Sequence, residues 1–311
     1  MPIPQRIHRY ETLAFDSDRW DAFQHRPGDI VVCTSYKAGT TWTQMICALL
    51  IFQEPKLDRP IGRISPWLDM KSQPIEATVA LHEAQTHRRF IKTHTAFDGI
   101  PYYEDAVYLF CGRDPRDIFM SLLHHIQNLN PEATADFVRS RRETGAPGGP
   151  RPTLPTDPND LFRLWLTRGS FPWEHDGFPF WSVFHHATTF WAARDLPNVH
   201  FLHYSDLQAD LEGQMRRLAE ILGIEVAEGR WPALVEAACF ESMRANADMS
   251  APDTEWSMWR DNREFFHRGT NGQWEGVLSE ESLALFDEVL ADRVPPDLGR
   301  WLLAGGPVAR A

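Results

Sequence analysis

Val31-Val32-Cys33-Thr34-Ser35-Tyr36-Lys37-Ala38-Gly39-Thr40-Thr41-Trp42-Thr43 passes from an apolar run into a short polar loop and then into a second apolar run. Ile30 to Cys33 is short, rich in β-branched residues and launched by the turn signal Arg26-Pro27-Gly28-Asp29, which predicts a buried strand. Trp42 to Phe52 has helical spacing and stops before Pro55. Strand, loop and helix in that order build an anion cradle, because backbone N–H groups and a helix N-terminus then face one point. Lys37 adds a full charge, and Thr40 and Thr41 add hydroxyls. The loop departs from G-x-x-x-x-G-K-[ST], since its Lys precedes its Gly.

Outward from this stretch, Arg89 to Thr93, Ala106 to Cys111 and Val199 to Tyr204 read as three further strands. Helices are expected at Asp117–Gln127, at 207–222, where Leu211, Met215, Leu218 and Leu222 share a stripe, and at 231–244 and 280–291. Apolar strands alternating with helices predict an α/β fold, a single domain around a mainly parallel sheet covered on both faces. Residues 1–28 read as an irregular lead-in, 29–295 as the domain and 296–311 as a tail. Within the domain, residues 129–160 read as a long mobile loop because of Gly145, Gly148, Gly149 and several prolines.

Composition narrows the function. The 311 residues carry a formal charge of −12, which argues against nucleic acid as a partner. The lysines are Lys37, Lys56, Lys71 and Lys92, with Arg supplying the rest of the 31 cations. Cys33, Cys47, Cys111 and Cys239 lack metal or disulfide spacing and read as small buried hydrophobes. No basic-then-apolar leader or membrane-length apolar span is evident, so the expectation is a cytoplasmic protein with no integral membrane segment.

Three predicted strand ends carry polar clusters: Lys37 to Thr41, Lys92-Thr93-His94, and Arg113-Asp114-Pro115-Arg116-Asp117. Ligands of doubly wound sheets bind at the carboxyl ends of strands, so the clusters are expected to converge. Several cations, hydroxyls and one imidazole suit an anionic cofactor with one acid–base group. No H-x-x-x-H or carboxylate cluster accompanies them, and no metal site is expected.

These clusters resemble the cytosolic-type sulfotransferases. Tyr36 to Trp42 is similar to that family's 5′-phosphosulfate loop, Lys92-Thr93-His94 to its catalytic strand end, and Arg113 through Ser121 to its 3′-phosphate motif. His267-Arg268-Gly269-Thr270-Asn271-Gly272-Gln273-Trp274 is similar to its C-terminal R-K-G-x-x-G-x-W segment. The resemblance runs from about residue 28 to 290, and the short lead-in with Arg19-Trp20-Asp21 looks like bacterial small-molecule or glycolipid members.

The resemblance implies sulfuryl transfer from 3′-phosphoadenosine 5′-phosphosulfate (PAPS) to a hydroxyl of a phenol, alcohol or glycolipid. It implies His94 as base and Lys37 and Lys92 as charge stabilisers. Lys37, Ala38, Gly39, Thr40, Thr41 and Trp42 would hold the phosphosulfate, Arg113 and Ser121 the 3′-phosphate, and Tyr204, Phe240 and Met243 the adenine side. His267, Arg268 and Gly269 would complete the nucleotide site. Trp67, Phe97 and Tyr102 are expected to line the acceptor side, and the aromatic stretch 161–191 reads as core with partial acceptor lining.

The sequence departs from the family at His267, where an Arg is usual, and at Arg268, where a Lys is usual. Val277-Leu278-Ser279-Glu280-Glu281 departs from its dimerisation pattern, leaving the oligomeric state open. Two rival readings remain, a kinase-like phosphotransferase and a nucleotide-binding homologue without catalysis. His124, His125, His185, His186, His200 and His203 read as structural or surface residues.

Overall fold

The computed structural model describes residues 4–143, 153–252 and 257–310. Its centre is a four-stranded, wholly parallel sheet in the order β2-β1-β3-β4, with β1 at Ile30–Thr34, β2 at Phe90–Thr93, β3 at Val107–Gly112 and β4 at Val199–His203. Val32 of β1 lies opposite Lys92 of β2 and Leu109 of β3, which fixes the register across the sheet.

Strand residues alternate between two cores, as the two-residue period of a pleated strand requires. Val31, Cys33, Ile91, Tyr108, Phe110 and Phe201 pack into an aromatic layer with Phe162, Trp165, Phe184 and Phe190. Ile30, Val32, Phe90, Leu109 and Leu202 pack on the other face against α1 (Thr40–Phe52) and the helices Leu211–Leu222 and Trp231–Ala238. Both faces are therefore dry, the arrangement expected of short, continuously apolar parallel strands.

Several expected elements shift. The helix anticipated at 207–222 is two, Tyr204–Ala209 and Leu211–Leu222, because Asp210 leaves helical geometry and caps the second through Gly213 N–H at 2.9 Å. The loop expected over 129–160 gives way to a helix at Pro131–Glu143 and the start of another at Pro158–Thr167. Thr134 and Phe137, three residues apart, supply the buried stripe of the first. The loop's Gly145, Gly148 and Gly149 lie outside the described residues.

The stretch read as a tail contains the helix Pro296–Ala304, whose Leu298, Trp301 and Leu302 are buried. Trp301 lies so close to Gly112 that a Cβ there would sit 2.3 Å from its ring, so the last strand residue before Arg113 has to be glycine. No helix among the described residues is long and apolar enough to cross a membrane.

Candidate active site

The strand edge and the loop after β1 build the site. Gly39 caps α1 at φ 103°, left-handed backbone open chiefly to glycine, and a Cβ there would meet the Tyr204 ring at 3.3 Å. Lys37 also has positive φ, 62°, an uncommon conformation for a side chain-bearing residue and one that recurs at functional sites. Tyr36 pins the loop, its hydroxyl donating to Gly177 O (3.2 Å) and accepting from Trp165 Nε1 (2.7 Å). No side chain caps the α1 N-terminus, so its positive end stays available to an anion. Thr34 and Thr40 share a hydroxyl hydrogen bond beneath it.

The three expected clusters converge on one cavity of about 640 Å³, lined by Lys37, Gly39, Thr40, Thr41, Trp42, Lys92, His94, Arg113 and Ser121. Tyr204, Phe240, Met243, His267, Arg268 and Gly269 line it too, as does Trp67. Three expectations do not hold in space. Ala38 is fully buried, and its N–H turns to Ser35 O at 3.4 Å. Phe97 stacks on Phe190 at 4.7 Å within the core, and Tyr102 stacks on Tyr108 at 5.8 Å with its hydroxyl on Asn198. Neither Phe97 nor Tyr102 lines the cavity, because the chain after His94 turns toward the aromatic layer.

His94 is held by a hydrogen bond of 2.8 Å between Nδ1 and the Thr34 carbonyl oxygen. A carbonyl only accepts, so Nδ1 carries the proton and Nε2 keeps a free lone pair. Trp67 and Trp181 flank the ring at 4.8 and 6.0 Å, both edge-on. Burial, then the charges of Lys92 and Lys37, push the His94 pKa down to about 3. Lys92 sits 4.0 Å over the Trp67 ring. Burial first and Arg113 second bring Lys37 down to about 7.

Arg113 donates to Lys37 O (3.1 Å) and Thr270 O (3.0 Å) and lies 4.0 Å over the Tyr204 ring. Its Nε is buried with no hydrogen-bond partner among the described residues, as are His267 Nδ1 and Gln273 Oε1. Burial keeps the His267 pKa below that of an ordinary imidazole, and its ring stacks on His124 at 3.6 Å. A neutral imidazole still offers one N–H donor. Orphaned buried groups are rare and mark a missing partner. Arg113 Nε, and His267 Nδ1 in the tautomer that carries its proton there, are donors that fit an anionic group, whereas Gln273 Oε1 is an acceptor and offers one nothing.

Six cations line the cavity (Lys37, Arg63, Lys92, Arg113, Arg142 and Arg268), and no carboxylate does among the described residues. In a chain of net charge −12, this gathering of cations stands out, and it suits an anionic ligand.

The motifs did not announce every wall. Phe15 packs on Trp67 (4.7 Å) and Trp181 (4.5 Å), closing the side of the cavity next to His94. His125 lies 3.4 Å from Lys37 Nζ. Gln273 sits inside the C-terminal motif already quoted, whereas Phe15 has no local signal.

A sequence-family model described as Sulfotransferase domain matches residues 27–296. A glycolipid sulfotransferase of Mycobacterium bovis (strain BCG / Pasteur 1173P2) is 37% identical over 319 residues, spanning 98% of this chain and 96% of that protein. The luciferin sulfotransferase of Photinus pyralis is 26% identical, spanning 86% of this chain and 71% of its own length. Retinol dehydratase, crystallised with androsterone and the inactive cofactor PAP, superposes with a TM-score of 0.67 at 22% identity, over 90% of this chain and 86% of that one. A mouse sulfotransferase complexed with PAP gives 0.67 at 18% identity, over 94% and 97%. The last two show a shared fold.

Proposed function

This chain belongs to the sulfotransferase domain family, and on that premise we propose that it moves a sulfuryl group from PAPS to a small-molecule hydroxyl with His94 as general base. The observation that carries this reading is the single cavity on which Lys37, Arg113 and Arg268 converge with the Lys92–His94 strand end.

In this reading the α1 N-terminus, Lys37, Thr40 and Thr41 hold the phosphosulfate. Arg113 Nε, Ser121, His267 and Arg268 meet the 3′-phosphate, a task the planar Arg fork suits. Tyr204, Phe240 and Met243 pack the adenine side. The acceptor oxygen attacks sulfur while Nε2 of His94 takes its proton. The new O–S bond forms as the S–O bond to the 5′-phosphate breaks, and 3′-phosphoadenosine 5′-phosphate (PAP) leaves with that electron pair. Lys92 and Lys37 stabilise the charge that grows on the bridging oxygen.

The name of the mycobacterial relative supports a glycolipid hydroxyl as the acceptor class, and the Phe15, Trp67 and Trp181 rings beside His94 suit a ring-shaped acceptor end. We take the reaction to run in the cytoplasm, which cysteines carried as free thiols suit.

Calorimetry is expected to show PAP binding well above ATP, and labelled PAPS is expected to sulfate members of a glycolipid panel. ATP binding in place of PAP would return the kinase reading. His94→Ala is expected to keep PAP affinity and lose about 10²- to 10⁴-fold in kcat. Unchanged turnover would remove His94 from the role of base.

A further inference from the structure

His125 lies one helical turn beyond Ser121 on the helix Pro115–Gln127 and faces the cavity. Its Nδ1 is 3.4 Å from Lys37 Nζ, whose other neighbour is the Phe265 ring at 4.3 Å. The His125 ring is itself wedged edge-on against Trp259 at 4.6 Å and Phe265 at 6.2 Å. Burial, then the charges of Lys37 and His94, hold its pKa well below the ordinary value, so the imidazole is neutral. A Lys ammonium has donors only. Nδ1 must therefore be the acceptor, and His125 carries its proton on Nε2.

We infer that His125 is the positioning residue for Lys37: its neutral imidazole accepts one N–H of the ammonium and aims the other two into the cavity. The inference rests on the sulfotransferase reading of the site. The flexible Lys stem makes such an anchor useful, because an untethered ammonium loses more freedom on meeting an anion.

The groups that face this pair are Arg113 after β3, which is charged, and His94 after β2 and His124 beside His125, whose pKa values of about 3 and 4 keep both imidazoles neutral from pH 6 to 9. None of them is acidic. On the segment that carries Phe265, Glu264 turns to Arg244 at 3.4 Å. The hydrogen bond to His125 is thus a local stabiliser of the charged form of Lys37, against burial and Arg113.

The consequence is a pH dependence of nucleotide binding with a defined sign. The anion needs Lys37 charged, and burial with Arg113 holds its pKa at about 7. Above pH 7 PAP affinity is then expected to fall as pH rises, by about tenfold per unit at the limit, while below pH 7 protonation of the PAP phosphates, with pKa about 6, works the other way. PAP binding in that range also takes up protons.

PAP affinity measured by calorimetry from pH 6 to 9 tests the assignment. His125→Phe fills the same wedge without an acceptor. It is expected to move the midpoint of the pH profile down and to weaken PAP about fivefold at pH 7.5, the factor one modest hydrogen bond is worth. His125→Leu is expected to behave alike. His125→Asn, whose Oδ1 stands near the place of Nδ1, is expected to restore the wild-type midpoint. A folded Phe or Leu variant with the wild-type midpoint and affinity overturns this inference alone. A wild-type protein that binds no PAP at any pH overturns the sulfotransferase reading of the site and the inference with it.

Discussion

At the amino end of the sheet the guanidinium of Arg89, 1% exposed, meets Asp29 through two hydrogen bonds of 2.8 and 2.6 Å and Glu83 through a third of 3.1 Å. At the carboxyl end the guanidinium of Arg113, 4% exposed, meets two carbonyl oxygens and a tyrosine ring, with its Nε left over. The same residue type, buried to nearly the same degree within one sheet, is hydrogen-bonded to carboxylates in one place and only to carbonyls in the other, where Asp117 is felt through space. Desolvating a charge without a counter-charge costs several kcal/mol, and a fold keeps such an arrangement where a ligand supplies the missing charge. The first Arg belongs to the fold. The second lines the cavity, and in the proposed reading it serves what the fold binds.

Arg89→Ala is the strongest test of that contrast. It removes the partner of a buried carboxylate and is expected to cost about 3–5 kcal/mol in urea unfolding. The surviving folded protein is expected to bind PAP with affinity unchanged within about twofold. A large loss of PAP affinity per folded molecule would dissolve the division between the two ends.

Arg113→Ala sharpens the other half. It removes a favourable charge from the buried Asp117, but that carboxylate keeps its hydrogen bonds from the Gly272 and Gln273 N–H groups, so the effect on unfolding is expected to be smaller than that of Arg89→Ala. Its effect on PAP is expected to be about a hundredfold, the usual scale for truncating one side of a buried charge pair. Adenosine 5′-monophosphate, which lacks the 3′-phosphate, is expected to lose much less. Equal loss for both nucleotides would take Arg113 away from the 3′-phosphate.

How much of this was legible beforehand follows from how each part is assembled. The strands and the loop Lys37 to Thr41 are local patterns, and the order strand, loop, helix has few other readings. Convergence of Lys37, His94 and Arg113 follows from the rule that parallel strands point one way, so three distant motifs share a rim. The aromatic wall beside His94 follows no such rule. Phe15, Trp67 and Trp181 come from segments without regular structure and meet only through tertiary contact. Closeness in sequence to His94 was a poor guide to Phe97 and Tyr102, which the turn after Thr95 carries into the aromatic layer. His125 looked like one more helix histidine, since its partner Lys37 is 88 residues away. The helix Pro131–Glu143 was hidden by the glycines and prolines that follow it.

The smallest expected effect concerns the imidazole between the two ends of the argument. His94 has Lys92 and Lys37 as cationic neighbours, and they add to burial in holding its pKa at about 3. A base that weak is poorly matched to proton transfer near pH 7. Phosphate charge brought against the same two lysines offsets their repulsion, so PAP is expected to raise the His94 pKa, by about one unit or more. The sign is fixed by the charges: a bound anion favours the imidazolium, and the titration moves up in pH. Titration of His94 by nuclear magnetic resonance, with and without PAP, reads this directly. A pKa that PAP leaves in place would mean that the bound charge does not reach His94. The carboxyl end of the sheet would then hold an anion site and a base that work independently, and the donor would not tune the group that deprotonates the acceptor.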